Sequence, residues 1–262
     1  MLGGGCRQGS AMNERPTIRQ RLTGRIAAER IKLMRVPRLP EGLARRYAAL
    51  PDATGLISDV MDELGLAGRV IGASVLRPTI PGKIVVGPAL TVRNERRDTD
   101  IAAAARSKLN RMAEFEAHNL AQPGDVLVIE GVANVSNMGG ISAQTGWRQG
   151  EIGAIVMGGI RDLGHSRKLG YPIWASDITP ATGKWRIETV EINGTVRLGG
   201  VEVNAGDLVV ADDTGVCFVP TEHMVEVIKL AESKAKAEIV RGHAIEDGLS
   251  VPDIADANYG QR

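Results

Sequence analysis

An arginine followed directly by an aspartate, Arg161-Asp162, is the pair of residues in this sequence best suited to chemistry. The pair follows the apolar run 152–157 and two glycines, a pattern that predicts a buried strand ending just before it. A carboxylate there suits a hard cation such as Mg²⁺, and a guanidinium suits a carboxylate or a developing oxyanion. Together they fit an anionic 2-oxo acid bound through a metal and an arginine. Spacing alone favours a simpler interpretation, in which Asp162 caps the next helix and Arg161 forms a surface ion pair.

A second candidate feature is the glycine pair Gly139-Gly140, which opens a predicted short helix and is followed by Ile141 and Ser142. Paired glycines let backbone amides approach an anion, although a tight turn is their commoner use. Helix and strand form one unit over residues 139–162, and open α/β folds bind ligands at the carboxyl ends of their strands. This unit is therefore where we expect the functional site.

The four histidines, His118, His165, His223 and His243, do not form a recognisable catalytic or metal-binding pattern. They have no His or Cys partner at metal-ligand spacing, which favours surface or packing roles. A Ser-His-Asp arrangement stays open from the sequence. Ser142 is the only serine in a suggestive turn, but no nucleophile-elbow sequence surrounds it. The absence of a Walker or Gly-x-Gly-x-x-Gly sequence argues against nucleotide binding.

Length and composition indicate a single large domain with an N-terminal arm. The 262 residues are 43% apolar and 24% charged, which is ordinary for a globular protein with a proper core. Aromatic residues make up 3%, which argues against base stacking, so no nucleic-acid partner is expected. Two cysteines without ligand spacing favour a reducing, cytoplasmic location. No apolar stretch approaches the ~20 residues that span a bilayer, so no membrane partner is expected either.

The charge of the chain is unevenly spread. Residues 14–46 hold ten Arg and Lys against three Glu, a local charge of +7 in a chain of net charge +1. This block is a candidate arm for an anionic partner. A solvated helix face, or a contact with an acidic neighbouring subunit, is the simpler interpretation.

Apolar periodicity predicts the elements around the candidate site. Helices are expected at 17–34, 41–50, 55–64 and 98–117, with a last one that begins near 221 and continues to about 245. Strands are expected at 70–75, 83–93 and 126–130, and Asn193-Gly194 predicts a hairpin turn within 189–198. The tail after residue 248 is polar and is expected to be loose.

Five ordered segments carry a resemblance to a known family. One is Gly-Gly-Ile-Arg-Asp at 158–162, and the others lie at 58–65, 87–92, 123–128 and 206–212. Over roughly residues 50–245, the chain resembles the family of 4-hydroxy-4-methyl-2-oxoglutarate aldolase. That family includes 4-carboxy-4-hydroxy-2-oxoadipate aldolase and the regulator of ribonuclease activity A, and members are often labelled dimethylmenaquinone methyltransferases. The resemblance is specific for the family but not for a substrate.

The resemblance implies an α/β fold: an α/β/β/α sandwich with a swivelling β/β/α core like the phosphohistidine domain, here with a helical N-terminal arm. It also implies homotrimers or homohexamers with active sites between subunits. On this basis residues 1–46 form the N-terminal extension and basic helical arm, and 47–248 form the aldolase/regulator-like catalytic domain. Residues 249–262 form a tail.

The resemblance further implies a role for each candidate site residue. Asp162 would hold Mg²⁺ or Mn²⁺, partly through water, and Arg161 would bind the pyruvyl oxygen and stabilise the enolate. Glu232 or Glu238 of a neighbouring subunit would reach the metal's water shell. The substrate carboxylate would be bound at four consecutive residues, Gly139, Gly140, Ile141 and Ser142.

One position departs from the family's pattern, in which an Asp precedes Arg-Asp by twenty intervening residues. Here that position is Gly140, and glycine cannot orient a water or relay a proton. The expected function is a divalent-metal-dependent lyase on a 2-oxo acid, by retro-aldol cleavage to pyruvate or by oxaloacetate decarboxylation, through a metal-stabilised enolate. One alternative is a non-catalytic regulatory binding protein that resembles the ribonuclease regulator. Another is a lyase or hydratase for a different hydroxy acid, with Gly140 making room for a larger substituent.

Overall fold

A computed structural model describes residues 22–259 of the chain, with side chains to residue 257. The strands are β1 (Val70–Gly72), β2 (Arg77–Pro78), β3 (Val85–Arg96), β4 (Val126–Glu130), β5 (Ser136–Met138), β6 (Gly153–Ile160), β7 (Ile173–Ile178), β8 (Ile187–Ile192), β9 (Val196–Leu198), β10 (Val201–Val203), β11 (Leu208–Ala211) and β12 (Gly215–Val219). The helices are α1 (Leu43–Ala48), α2 (Ala53–Glu63), α3 (Ile101–Arg106), α4 (Glu114–Leu120), α5 (Gly140–Gln149), α6 (Leu163–Leu169), α7 (Met224–Glu246) and α8 (Val251–Tyr259).

Ten of these strands form one mixed sheet, in the order β1-β12-β11-β3-β4-β6-β7-β2. The central strands β3, β4, β6 and β7 run parallel, and β5 and β8 pair with β6 and β3. The remaining strands, β9 and β10, form a separate hairpin. The expected α/β class is confirmed, while the four-layer sandwich with a swivelling core stays a prediction.

The parallel centre of the sheet explains why β4 and β6 are so apolar. Helices α4, α5 and α6 each lead the chain into the next parallel strand. Parallel strands are covered on both faces, so their sequences are continuously hydrophobic. Val126, Leu127, Val128 and Ile129 are all fully buried. The crossovers also bring the ends of β4 and β6 to one edge of the sheet, which places residues 131–140 beside 161–162.

The other helices cover the antiparallel part of the sheet. Helices α1, α2 and α7 pack on β11 and β12 through an apolar cluster that includes Ile57, Val60, Val227 and Ile228. The predicted helices at 41–50 and 55–64 are therefore confirmed, within a few residues at each end. Gly65 ends α2 with a φ of +73°, the left-handed conformation typical of helix ends. The last helix is confirmed as well, but it begins at Met224 after a 3₁₀ turn.

The predicted arm helix at 17–34 is wrong in its described part, and residues 17–21 lie outside the described residues. From Leu22 to Met34 the only regular helix is a 3₁₀ turn at Ala28–Arg30. Ile31 instead forms a parallel bridge to Ile192, and the Lys32 amide donates to the Ile192 carbonyl over 2.9 Å. Sheet pairing and burial of the apolar residues have overridden the helical spacing. The division at residue 46 stays a prediction.

The long helix predicted at 98–117 is wrong, because the chain breaks it into α3 and α4. Lys108 adopts a φ of +56°, which cannot continue a helix. Arg111 then bridges to Glu188, and the Thr189 hydroxyl accepts the Ala113 amide over 2.8 Å. Tertiary contacts with β8 thus outweigh the high helix propensity of the alanines.

The hairpin predicted within 189–198 is also wrong. Strand β8 pairs with β3, so Asn193-Gly194 does not join two paired strands. The hairpin connects β9 to β10 instead, through Gly199 and Gly200. Both glycines have positive φ, as a two-residue hairpin turn requires.

The C-terminal tail is not loose over its described length, since residues Val251–Tyr259 form α8. No helix among residues 22–259 is both long enough and apolar enough to cross a membrane.

We predict that the segment around Ile31 is integral to the core. Ile31 is 7% exposed and packs in the cluster beneath α4 and α5, whereas Leu33 is 41% exposed. Ile31→Ala is expected to lower the free energy of unfolding by about 2–5 kcal/mol, measured by denaturant titration. Leu33→Ala, the matched control, should change it by less than ~0.5 kcal/mol. Equal effects of the two substitutions would contradict the assignment.

Candidate active site

A cavity of about 180 Å³ opens where β5 and β6 end. The predicted substrate residues and the predicted metal ligand Asp162 line it: Gly139, Gly140, Ile141, Ser142, Arg161 and Asp162. Its other lining residues include Glu114 and Lys184, which the sequence did not indicate. The structure thus brings the two halves of the predicted site into one concave surface.

Asp162 faces the cavity and does not cap its own helix. It occupies the position before α6 with a left-handed backbone, φ +60° and ψ +40°, and its side chain makes no capping bond to α6. Its Oδ2 instead accepts the amide of Gly140 over 3.0 Å. Half of the side chain is exposed. The interpretation in which Asp162 caps α6 is therefore wrong.

Arg161 lies beside this carboxylate at the end of β6. Its Nε is 3.5 Å from Asp162 Oδ2, and its amide donates to the Met138 carbonyl over 3.2 Å. One third of the side chain is exposed. A guanidinium held at the mouth of a cavity by its backbone can present donors to an anionic ligand.

The start of α5 comes this close to Arg161 and Asp162 only because Gly139 has no side chain. A Cβ at Gly139 would lie 2.8 Å from Asp162 Oδ2 and 3.1 Å from Arg161 Nε. Close backbone approach, and not merely a tight turn, therefore accounts for glycine at this position.

Gly140 does not open space for a larger substrate. A Cβ there would lie 2.9 Å from Cβ of His165 and 3.2 Å from Cβ of Asp162. His165 on α6 and the Asp162 side chain fill the volume that a family Asp would need. The interpretation in which Gly140 makes room for a bulkier substituent is therefore not supported.

A buried polar network fixes the loop that carries this site. Asn137 is fully buried, and its side chain accepts the Val132 amide over 3.0 Å and donates to the Val135 carbonyl over 3.1 Å. Asn94 donates to Asn137 over 3.3 Å and accepts from the Thr189 hydroxyl over 2.8 Å. These bonds connect β3, β5 and β8, so they position Met138 and the glycines that follow it.

Glu114, at the start of α4, is a buried carboxyl that lines the cavity. It is 7% exposed, and its Oε2 has no hydrogen-bond partner among the described residues. Burial raises the pKa of Glu114 above its ordinary value, against the opposing fields of His118, Lys184 and Arg25. A buried polar atom without a partner is unfavourable, and such atoms are commonly found where a ligand binds.

Behind Ser142 lies a second buried polar group. The Nε2 of His118 is 2.8 Å from Ser142 Oγ, and its Nδ1 is 2.7 Å from Oε1 of Glu151. Tyr171 donates its hydroxyl to Oε2 of Glu151 over 2.8 Å. His118 is completely buried, so of the two expected roles a surface position is wrong, and its hydrogen bonds lead to the cavity wall.

Asp162 could serve as one protein ligand of a hydrated divalent metal. Mg²⁺ keeps several waters and takes one or two carboxylates, and Asp162 is half exposed in a polar cavity. Among residues 22–257, no group of three or more His, Cys, Asp and Glu side chains is arranged to hold a metal. The donor set therefore fits a water-rich Mg²⁺ or Mn²⁺ ion and not a closed protein cage.

Glu232 and Glu238 do not line this cavity within one chain. Both lie on α7. Glu232 forms a bidentate ion pair with Arg46, in which Nε donates to Oε1 over 2.7 Å and Nη2 donates to Oε2 over 2.8 Å. Glu238 is exposed. Their contribution from a neighbouring subunit stays a prediction.

The sequence did not single out Glu114, Lys184, Glu151 or the pairing of His118 with Ser142. These residues come from four separate segments, and only the folded chain brings them together. The one available signal was the position of Ser142 two residues after the glycine pair.

We predict that Gly140→Ala destabilises the protein, because its Cβ would overlap the Cβ of His165, which no rotamer can move. The expected loss is about 1–3 kcal/mol in the free energy of unfolding. Gly164→Ala is the matched control, since a Cβ there meets nothing within 4 Å. It should be neutral or stabilising by up to ~1 kcal/mol. If the two substitutions have the same effect in chemical denaturation, the close approach at Gly140 is wrong.

We also predict that Glu114→Gln stabilises the protein at alkaline pH. A carboxyl whose pKa is raised on folding holds its proton longer in the folded state, so native stability falls as pH rises above the unfolded value. Glutamine removes this dependence. The variant's gain in melting temperature should therefore grow between pH 4.5 and pH 8. The exposed Glu41→Gln is the control, and a gain that does not depend on pH would refute the assignment.

Comparisons with known proteins show which family this chain resembles. A curated relative, the putative 4-hydroxy-4-methyl-2-oxoglutarate aldolase of Halalkalibacterium halodurans, is 31% identical over 198 residues, covering 75% of this chain and 86% of that protein. Protein DlpA of Legionella pneumophila is 28% identical over 198 residues, covering 72% of this chain. The matched part spans only 31% of DlpA.

Solved structures point the same way. Streptomyces coelicolor RraAS2, described as an unusual member of the RNase ES inhibitor RraA protein family, has a TM-score of 0.66 and 28% sequence identity. The similarity covers 78% of this chain and 98% of that one. Residues 54–218 also match the family described as RraA-like, Aldolase/RraA. This match takes in both the glycine turn and the Arg-Asp pair, and the chain belongs to the RraA-like family.

Proposed function

We propose that this protein is a lyase that acts on a 2-oxo acid, by retro-aldol cleavage to pyruvate or by decarboxylation of oxaloacetate. The observation that carries the proposal is the position of Asp162, which faces the cavity and the α5 amide instead of capping α6. The aldolase name of the 31% identical relative supports the same reaction class.

The cavity can bind and orient a 2-oxo acid. Ile141 and Ser142, in the first turn of α5, line the cavity, and a helix start favours a carboxylate. Arg161 would bind the 2-oxo oxygen and stabilise the negative charge that gathers there as the carbon–carbon bond breaks. Lys184 adds a second cation for a further carboxylate of the substrate.

Asp162 is the residue that would hold a divalent metal at this site. When bound, Mg²⁺ or Mn²⁺ supplies Lewis-acid polarisation of the substrate's 2-oxo group. The carboxylate is oriented for this by the Gly140 amide and by Arg161, which both contact Oδ2.

Assembly into trimers or hexamers belongs to the same proposal. Helix α7 leaves Ile239 and Val240 exposed, 52% and 69%, which supports a contact with another copy of the chain. Such a contact would let Glu232 or Glu238 approach a neighbour's metal site.

A non-catalytic regulatory protein is the second candidate. The absence of a carboxylate at Gly140 favours it, since His165 and Asp162 fill the space where one would lie. The similarity to RraAS2 favours it as well. In that case the site would bind an anion without turning it over, and partner binding would not depend on metal.

We predict that oxaloacetate decarboxylation requires metal, Arg161 and Asp162 together. Asp162→Asn and Arg161→Lys should each lower kcat/KM by about 10²–10³-fold, the usual cost of losing one charge-stabilising group. The lysine variant tests whether the planar guanidinium is needed and not only its charge. Activity should vanish in chelator and return with Mn²⁺.

The matched control is Arg148→Lys, at an exposed position on α5 outside the cavity. It should leave kcat/KM within about twofold, as expected for a surface substitution. If a panel of 2-oxo acids shows no metal-dependent turnover with the native protein, the regulatory candidate replaces the lyase.

A further inference from the structure

Ser142, His118 and Glu151 form a buried chain of hydrogen bonds that ends at the cavity. Ser142 lines the cavity at the start of α5, although it is only 4% exposed. Its hydroxyl is 2.8 Å from Nε2 of His118, and Nδ1 of the same ring is 2.7 Å from Glu151 Oε1. The order hydroxyl, imidazole, carboxylate is the one that makes a serine hydroxyl able to give and take protons.

Glu151, at the far end of this chain of hydrogen bonds, is held by a further hydrogen bond. Glu151 is 3% exposed, and its second oxygen accepts the hydroxyl of Tyr171 over 2.8 Å. An ionised Glu151 requires a proton on Nδ1 of His118, which leaves Nε2 to accept from Ser142. The imidazole orientation therefore follows from its partners.

The hydrogen-bonded groups also restrict which residue α5 can have at position 146. A Cβ at Gly146 would lie 2.2 Å from Glu151 Oε2 and 3.0 Å from His118 Nδ1. Helix α5 can therefore pack on the hydrogen-bonded pair of His118 and Glu151 only with glycine at position 146. Helix α5, which carries Ser142, is thus packed directly against His118 and Glu151.

Electrostatics supports a basic imidazole. Burial pushes the pKa of His118 down, but the charge of Glu151, its hydrogen bond and the field of Glu114 outweigh burial and raise it. The hydrogen bond from Nδ1 to Glu151 thus favours the protonated ring, because the carboxylate lies 2.7 Å from it.

We propose that Ser142, coupled through His118 to Glu151, is the acid–base group of this site and replaces the carboxylate that the family has at position 140. The inference rests on the proposed lyase function and names the residue that moves the proton. Ser142 would touch the substrate and is the catalytic residue. His118 and Glu151 act through it as positioning residues.

The proton balance closes within the substrate and the three side chains. Ser142 takes the proton of the substrate's C4 hydroxyl as its own proton passes to Nε2 of His118. The C4–oxygen bond becomes a carbonyl, the C3–C4 bond breaks, and its electron pair forms the enolate whose oxygen Arg161 binds. Return of the proton from His118 through Ser142 to C3 gives pyruvate and the second carbonyl product, without any oxidant or reductant.

A purely structural network would hold α4 and α5 together without moving protons. The two roles differ in which reaction they affect. Exchange of the methyl hydrogens of pyruvate with D₂O needs a group that removes and returns a proton at C3. Oxaloacetate decarboxylation generates the same enolate by losing CO₂, without that base.

The test measures both reactions with Mg²⁺ present, exchange by proton NMR and decarboxylation by loss of oxaloacetate. In Ser142→Ala and His118→Gln, the ratio of exchange to decarboxylation should fall by about 10²-fold or more, the usual contribution of a positioned acid–base group. Ser142→Cys, which restores an ionisable group in the same place, should recover at least tenfold of the alanine loss.

The matched control is Ser166→Ala, another buried serine, whose hydroxyl donates to the Leu163 carbonyl outside the cavity. It should leave the ratio within about twofold. Thermal unfolding shows whether Ser142→Ala and His118→Gln, the two relay variants, are folded. Either variant, if folded, decides whether Ser142 and His118 move the proton.

An unchanged ratio in a folded relay variant would overturn the relay and leave the lyase proposal standing. So would a native protein that decarboxylates oxaloacetate but exchanges no pyruvate hydrogens. A native protein that catalyses neither reaction would overturn the lyase proposal and the relay with it.

Discussion

One hydrogen bond, from the Gly140 amide to Oδ2 of Asp162, is the contact on which the rest of the site depends. It joins the turn after β5 to the turn after β6, so that a helix start, a guanidinium and a carboxylate share one cavity. It draws Asp162 away from capping α6 and requires a left-handed backbone there. It also requires glycine at 139 and 140, because Arg161, Asp162 and His165 fill the space beside them. The glycine pair is thus a consequence of close packing.

At Gly140 the site departs from the pattern that the resemblance implies. Gly140 stands where the resemblance implies an Asp, and His165 and Asp162 occupy the volume that a side chain there would need. Two other polar groups line the same cavity from different elements: Glu114 from α4, and Ser142 with His118 behind it. Both lie in buried surroundings whose polar groups are unfavourable for stability unless they are paired or bind a ligand. Among these groups Ser142, His118 and Glu151 are paired with one another, whereas Oε2 of Glu114 has no partner among the described residues.

The sequence predicted the parts of the structure that local patterns determine. The apolar run before Gly158 marked β6, and residues 139–142 line one cavity with Arg161 and Asp162. The sequence failed where distant contacts decide the conformation. Ile31 pairs with Ile192 instead of continuing a helix, and Lys108 breaks the alanine-rich helix where Thr189 binds the next turn. The link between His118 and Glu151, 33 residues apart, could not be found from spacing, because it depends on how α4 and α5 pack.

The most direct measurement of the central claim is a crystal structure of the protein soaked with Mn²⁺ and oxalate, a stable mimic of the pyruvate enolate. We predict anomalous density for manganese beside Asp162, with oxalate between the metal, Arg161 and the amides at the start of α5. We also predict the Ser142 hydroxyl at the edge of the bound oxalate. Manganese and oxalate absent from this cavity at saturating concentrations, or bound at another surface without Asp162, would contradict the central claim.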